Sequence, residues 1–200
     1  MVINSKNQQV PYPKIPFDNL YLEGIHGIAH AYRVLLLTRK IAEAERLTNK
    51  QKDILAFCAI FHDIGRINDD VDNLHGKRSV QALKQNLYFG LLQNDTDLVN
   101  YIIENHCITD TTAYRNVSKY NLNNTEEAVY LLKVFKDSDN LDRVRLGDFD
   151  GSYLRCSTSH NFIKTAFELY CQKFNRFDIV AEFESVLNKL KNHQSNYDSK

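Results

Sequence analysis

The stretch "AIFHDIGRINDDVDNLHG" (59–76) decides how the chain folds. It begins as an apolar run continuous with "ILAFC" (54–58), which reads as a buried helix. It then sets His62 beside Asp63, continues through polar residues and closes on a second histidine, the pair His75–Gly76. Burying an imidazole or a carboxylate without a partner is costly. The doublet at the end of a core helix therefore needs partners from elsewhere in the chain.

The composition sets the frame for that search. The chain has 200 residues, 43% hydrophobic and 25% charged, which suits one soluble globular domain with an ample core. Basic and acidic residues balance at 25 each, and this neutrality disfavours nucleic acid as an obligatory partner. The four cysteines, Cys58, Cys107, Cys156 and Cys171, are widely separated and form no CxxC, so they read as core thiols of a reducing compartment. No apolar stretch approaches a membrane span, and "MVINSKNQQV" (1–10) lacks the regions of a signal peptide. The expectation is a cytoplasmic protein with no membrane partner.

Periodicity predicts an all-α domain of about six or more helices. All three prolines fall in "VPYPKIPFDNLY" (10–21), so residues 1–21 are expected to form an extended arm. Residues 22–192 form the single domain, and 193–200 a tail. Helical spacing predicts a first helix over about Leu22–Leu47 and a second over Lys50–Ile64, capped by Gly65. A third starts near His75 or Ser79 and fades around Gly90. A fourth follows "NDTD", where Asp95 or Thr96 can cap it, and carries "LVNYIIENHC". Residues 109–124 read as a loop, "NNTEEA" opens a fifth helix, and a final helical region spans Ser159–Asn192. No strand alternation is visible.

The placement of seven histidines is the main functional signal. His26 and His30 are four apart on the predicted first helix, hence on one face, with Arg33 three further on. His62 and Asp63 end the second helix, His75 opens the third, His106 lies near the end of the fourth, and Asp137 and Asp139 sit late in the fifth. Helical bundles build metal sites from side chains that converge in this way. A lone histidine on an apolar helix is more often structural than ligating. Asp137, Asp139 and Asp142 also read as a solvated helix end, and Arg33, Arg143 and Arg145 as surface ion pairs. His160 and His193 fall outside the pattern.

The order His … His-Asp … Asp on successive helices resembles the HD-domain superfamily, typically helical, metal-dependent phosphohydrolases. "HAYRV" (30–34) is similar to its first motif, "FHDIG" (61–65) to the motif that names it, and "KDSDNLD" (136–142) to its last. The likeness extends to a subgroup with a longer pattern, through "HGIAHAYRV", "HDIGRINDDVDNLHGKRS", "ENHC" and "DSDNLDRVRLGD", so that it covers Gly24–Asp148. The resemblance implies His30, His62, Asp63 and Asp139 as core ligands. It adds His75 and His106 for a second ion, with Asp63 bridging; His75 is equally readable as a substrate contact. His26 has no place in the core set and is left to orient a ligand or touch substrate. Asn140 departs from the pattern, since a basic residue is common there.

Imidazole and carboxylate ligands without thiolate suit one or two ions of Mn²⁺, Fe²⁺, Co²⁺, Ni²⁺ or Mg²⁺. Two such ions about 3.5–4 Å apart hold a hydroxide between them and clamp a phosphoryl oxygen. Asp63, Arg33 and Arg66 are the expected catalytic residues, Arg33 alternatively pairing with a carboxylate such as Asp139. His26, Lys77, Arg78 and Arg143 are the expected substrate contacts. Asp69 and Asp72 read as loop residues or proton carriers. Residues 109–124 and 149–160 are the expected pocket walls, with Tyr114, Tyr120 and Tyr153 as stacking candidates. The implied reaction is hydrolysis of a nucleotide or other small phosphate ester. Two alternatives remain open, an HD-fold di-iron oxygenase and a non-catalytic nucleotide-sensing module, and the oligomeric state is not legible.

Overall fold

The computed structural model describes residues 2–3, 9–10, 17–21, 23–85 and 95–197. The prolines of the predicted arm and Gly90 lie outside these residues. The expected all-α architecture is found. Among the described residues the only strands are the two-residue segments β1 (Val2–Ile3) and β2 (Gln9–Val10), an antiparallel pair in which Val2 faces Val10. The helices are α1 (Phe17–Leu20), α2 (Ile28–Ala44), α3 (Asn49–Phe61), α4 (His75–Gln85), α5 (Thr96–Asn105), α6 (Asp110–Asn116), α7 (Thr125–Leu141), α8 (Ile163–Cys171) and α9 (Arg176–Tyr197).

Helix α3 is the centre of the bundle. Every residue from Asp53 to Phe61 is buried, because α2, α5, α7 and α9 pack around it. That is why its sequence is apolar on all faces rather than along one stripe. Its start is fixed by a capping box: the Thr48 hydroxyl accepts from the Gln51 amide, and the Gln51 side chain accepts from the Thr48 amide at 2.8 Å. Helix α2 packs on it, and its Ala31, Val34, Leu35 and Ile41 are fully buried. On its other side Phe17 meets Phe183 of α9 edge-to-face, and the Tyr21 hydroxyl donates to the Ile60 carbonyl. Helix α7 starts at Asn124, whose side chain accepts from the Glu127 amide.

Several boundaries differ from the sequence expectation, each for a physical reason. The first helix begins at Ile28 after Gly27, so His26 lies in the preceding turn and does not share a helix face with His30. That turn is held from outside, since Asp69 accepts from the Ile25 and His26 amides, both at 3.3 Å. Gly65 does not cap α3, which ends at Phe61. A Cβ on Gly65 would stand 2.2 Å from the Ser79 nitrogen, and one on Gly76 would stand 2.3 Å from the Ile103 carbonyl oxygen. These two glycines let α4 lie close to the doublet and to α5. Asp95 pairs with Lys50 instead of capping α5 by its side chain. Residues 109–124 contain α6 and a 3₁₀ turn, Val117–Lys119. The expected final helix divides into a 3₁₀ segment, Ser157–Phe162, and the helices α8 and α9; the last runs to Tyr197, past the expected boundary.

Candidate metal centre

The ends of α3 and α5, the starts of α2 and α4, and the last turn of α7 meet around Asp63. Its side chain is only 2% exposed. On one side, the Nε2 atoms of His30 and His62 lie 3.4 and 3.7 Å from Asp63 Oδ2 and 3.4 and 3.9 Å from Asp139 Oδ1. On the other side, the Nε2 atoms of His75 and His106 lie 3.0 and 3.6 Å from Asp63 Oδ1. Asp63 thus stands between two pairs of imidazoles and offers one oxygen to each pair. The Asp139 side chain is 30% exposed, so the centre opens to solvent beside it.

The far side of each ring fixes its tautomer. His62 Nδ1 faces the Ala59 carbonyl at 3.0 Å, His106 Nδ1 faces the Ile103 carbonyl at 2.7 Å, and His75 Nδ1 faces the Asp72 carbonyl. His30 Nδ1 faces Asp142 Oδ2 at 2.7 Å. A carbonyl or carboxylate only accepts, so each Nδ1 carries the hydrogen and each Nε2 is left to ligate. The result is a pair of Nε2 atoms 2.8 Å apart for His75 and His106, and 3.2 Å apart for His30 and His62. Such facing lone pairs need a cation or a proton between them. Asp63 Oδ1 is buried and makes no hydrogen bond, which marks the same need. The donor set, four imidazoles and two carboxylates, fits two divalent cations.

The charges around the centre agree with this assignment. Burial pushes the Asp63 carboxyl up, but His62, His106, His26 and His30 outweigh it and hold the group well below the usual carboxylate range. Burial holds His62 neutral, its pKa lowered to about 3. His30 goes the other way: burial and Arg145 lower it, yet Asp139, Asp142 and Asp63 together raise it to about 10. A cation must therefore displace a proton from His30 Nε2, and below about pH 10 the metal-free centre holds that proton. Affinity at this half-site should weaken about tenfold for each unit of pH lost. Calorimetric titration in two buffers of different ionisation enthalpy should read about one proton released for this ion. Uptake without proton release would show that His30 is not a ligand.

Arg33 is not free for a phosphate, because it donates to Asp142 through Nε at 2.6 Å and Nη2 at 3.0 Å. Its carboxylate partner is Asp142 rather than Asp139. Arg66 donates from Nε to Asp63 Oδ2 at 3.0 Å and reaches the Asp70 carbonyl, at the edge of the centre. His26 Nδ1 lies 3.3 Å from Asp63 Oδ2 and 3.1 Å from Arg145 Nη2. Lys77 is exposed on α4, one residue past the contact at Gly76. Arg78 is occupied within the 65–72 loop, by the Gly65 carbonyl and Asp72, and Arg143 pairs with Asp148 on the surface. Asp69 and Asp72 hold backbone amides, the loop role.

Asp137 turns away from the centre to accept from the Arg155 and Cys156 amides. Arg155 also grips Asp110, joining the two expected pocket segments. Tyr120 donates to Glu104, Tyr114 lies over Lys133, and Tyr153 is exposed. The cysteines are free; Cys58 and Cys156 are core thiols, whereas Cys171 is exposed. Cys107 lies beside His75 and His106, its thiol raised by burial and directed to the Asn73 carbonyl. His160 is exposed, and the side chain of His193 lies outside the described residues.

Two residues were missed as parts of the site. Asp142 is fully buried behind His30, and Arg145 links it to His26 and to the Ile25 carbonyl. The signal for Asp142 was its spacing, three residues beyond Asp139 and so on the same face of α7.

No curated protein and no solved structure matches the chain. No helix among the described residues is long and apolar enough to cross a membrane. The sequence model of the HD domain matches residues 27–144, a span that holds His30, His62, Asp63, His75, His106, Asp139 and Asp142. On that match, which covers more than half of the chain, the protein belongs to the HD domain family.

Proposed function

We propose that this protein is a metal-dependent phosphohydrolase acting on a nucleotide or another small phosphate ester. The observation that carries the reading is Asp63 between two imidazole pairs whose Nε2 atoms all face its carboxylate, each ring being held by its Nδ1. His30, His62, Asp63 and Asp139 would hold one cation, and His75, His106 and Asp63 the second. Two divalent ions so placed supply a nucleophile near neutral pH and compensate charge on a phosphoryl group.

The chain's own residues do the positioning. Asp142 fixes the His30 ring, and Arg33 and Arg145 fix Asp142. Arg66 restrains the bridging carboxylate, so its contribution to catalysis runs through Asp63. Lys77, exposed on the first turn of α4 two residues past His75, would meet a substrate phosphate.

The test is a screen of nucleotides and phosphate monoesters and diesters with protein loaded in turn with Mn²⁺, Fe²⁺, Co²⁺, Ni²⁺ and Mg²⁺. Phosphate release that depends on the ion and disappears with chelator is the expected result. Oxygen uptake with Fe²⁺ and no phosphate release would identify the di-iron alternative. Nucleotide binding without turnover under every ion would identify a sensing module.

A further inference from the structure

Five histidines surround Asp63, and four of them turn Nε2 toward it while a carbonyl or carboxylate takes the hydrogen of Nδ1. His26 is turned the other way. Its Nδ1 faces the carboxylate, 3.3 Å from Asp63 Oδ2, and its ring stands perpendicular to that of His30 with the centroids 5.6 Å apart. By distance alone His26 could ligate, because it forms a group of ligand atoms with His30 and Asp63. A second neighbour sets it apart: Arg145 Nη2 lies 3.1 Å from the same Nδ1.

A guanidinium only donates, so this contact is a hydrogen bond only when Nδ1 carries no hydrogen. The other tautomer would set two N–H groups against each other where the Arg145 side chain is 5% exposed and that of His26 10%. Asp63 Oδ2 has a donor without His26, because Arg66 Nε reaches it at 3.0 Å. Arg145 is itself fixed. Its Nε donates to the Ile25 carbonyl at 2.9 Å, and its Nη1 donates to the Asp142 carbonyl at 3.0 Å and to Asp142 Oδ2 at 3.2 Å. The turn that carries His26 is also held by Asp69, which accepts from the Ile25 and His26 amides.

We propose that Arg145 is a positioning residue that fixes His26 as the Nε2–H tautomer, which keeps His26 out of the ligand set and leaves it only a donor for a substrate atom. The lone pair of Nδ1 is taken by Arg145, and the other nitrogen carries the hydrogen. One arginine thus serves two histidines in opposite senses. Through Asp142 it helps to hold a hydrogen on His30 Nδ1, and directly it keeps the hydrogen off His26 Nδ1.

Long-range proton–nitrogen correlation spectra of full-length protein labelled with ¹⁵N-histidine read the tautomer of each ring. They are recorded metal-free and with Mg²⁺, at a pH above the ordinary histidine range, and His26→Gln identifies the His26 signals. His26 should show the Nε2–H pattern in both states, whereas His62 and His106 show Nδ1–H. Arg145→Met should move His26 to the Nδ1–H pattern, with its hydrogen donated to Asp63, and unchanged His62 and His106 signals will show that the variant is folded. His26→Gln should bind as many ions as the wild type. An Nδ1–H pattern for His26 in the wild type would overturn the proposal, whether or not the Arg145 variant folds. So would a folded Arg145→Met protein with the wild-type pattern, or an ion lost in His26→Gln. None of these readouts requires turnover, so a failed ester screen would leave the tautomer standing.

Discussion

Replacing Asp63 by Asn should strip both cations from the protein and lower kcat/KM at least about 10³-fold. The asparagine fills the same volume, so the bundle should keep its packing. It loses the negative charge that stands between four imidazoles, and its amide nitrogen cannot ligate. Both proposed half-sites would use this one side chain, whose Oδ2 faces His30 and His62 and whose Oδ1 faces His75 and His106. A divalent ion contributes several kcal/mol of charge stabilisation to a phosphoryl transition state, and about 1.4 kcal/mol is tenfold in rate. Metal analysis after dialysis, beside steady-state kinetics, checks both parts. A variant that retains two ions would show that Asp63 is not the bridge.

Asp142→Ala should cost about 3–5 kcal/mol, the loss typical when one partner of a buried charge network is removed. For a chain of this size that lowers Tm by about 10 °C. The carboxylate is fully buried and accepts from Arg33, His30 and Arg145, so its removal leaves two guanidinium groups without their main partner. It also frees the His30 ring to turn, which should weaken the cation on that side by about 10- to 100-fold. Asp142→Asn keeps an acceptor for His30 and should recover part of the metal affinity but less of the stability. The sign with pH follows from the same contacts. Burial raises the Asp142 carboxyl, but His30 and Arg33 outweigh it and hold the group below its ordinary value. Its contribution is present above the usual carboxylate range and is lost as the pH falls through the lowered value. An Asp142→Ala protein that melts like the wild type at neutral pH would show that the network carries little stability.

The candidate ligands were legible through the resemblance of ordered motifs, to which the placement of the histidines at helix ends lent a physical reason. A doublet at the end of a fully apolar helix, and single histidines at the ends of two others, need partners wherever the helices meet. The six ligand positions come together in space as their order suggested. What the sequence did not reveal depends on contacts between distant segments. His26 appears helical by spacing, yet Asp69, 43 residues away, holds its amide in a turn. Gly65 resembles a cap, yet its absent side chain makes room for α4. The polar stretch 109–124 hides α6 because its buried contact is the single alanine Ala113. Arg33 and Asp142 each resemble surface charges, and only the fold shows them to be one buried pair behind His30.

The most direct measurement is the number of divalent ions per chain, by metal analysis of protein equilibrated with Mn²⁺, in the wild type and in His106→Ala. Two ions are expected in the wild type and one in the variant, which retains His30, His62, Asp63 and Asp139. A wild type that holds no ion, or a variant that still holds two, would contradict a two-ion centre built on Asp63.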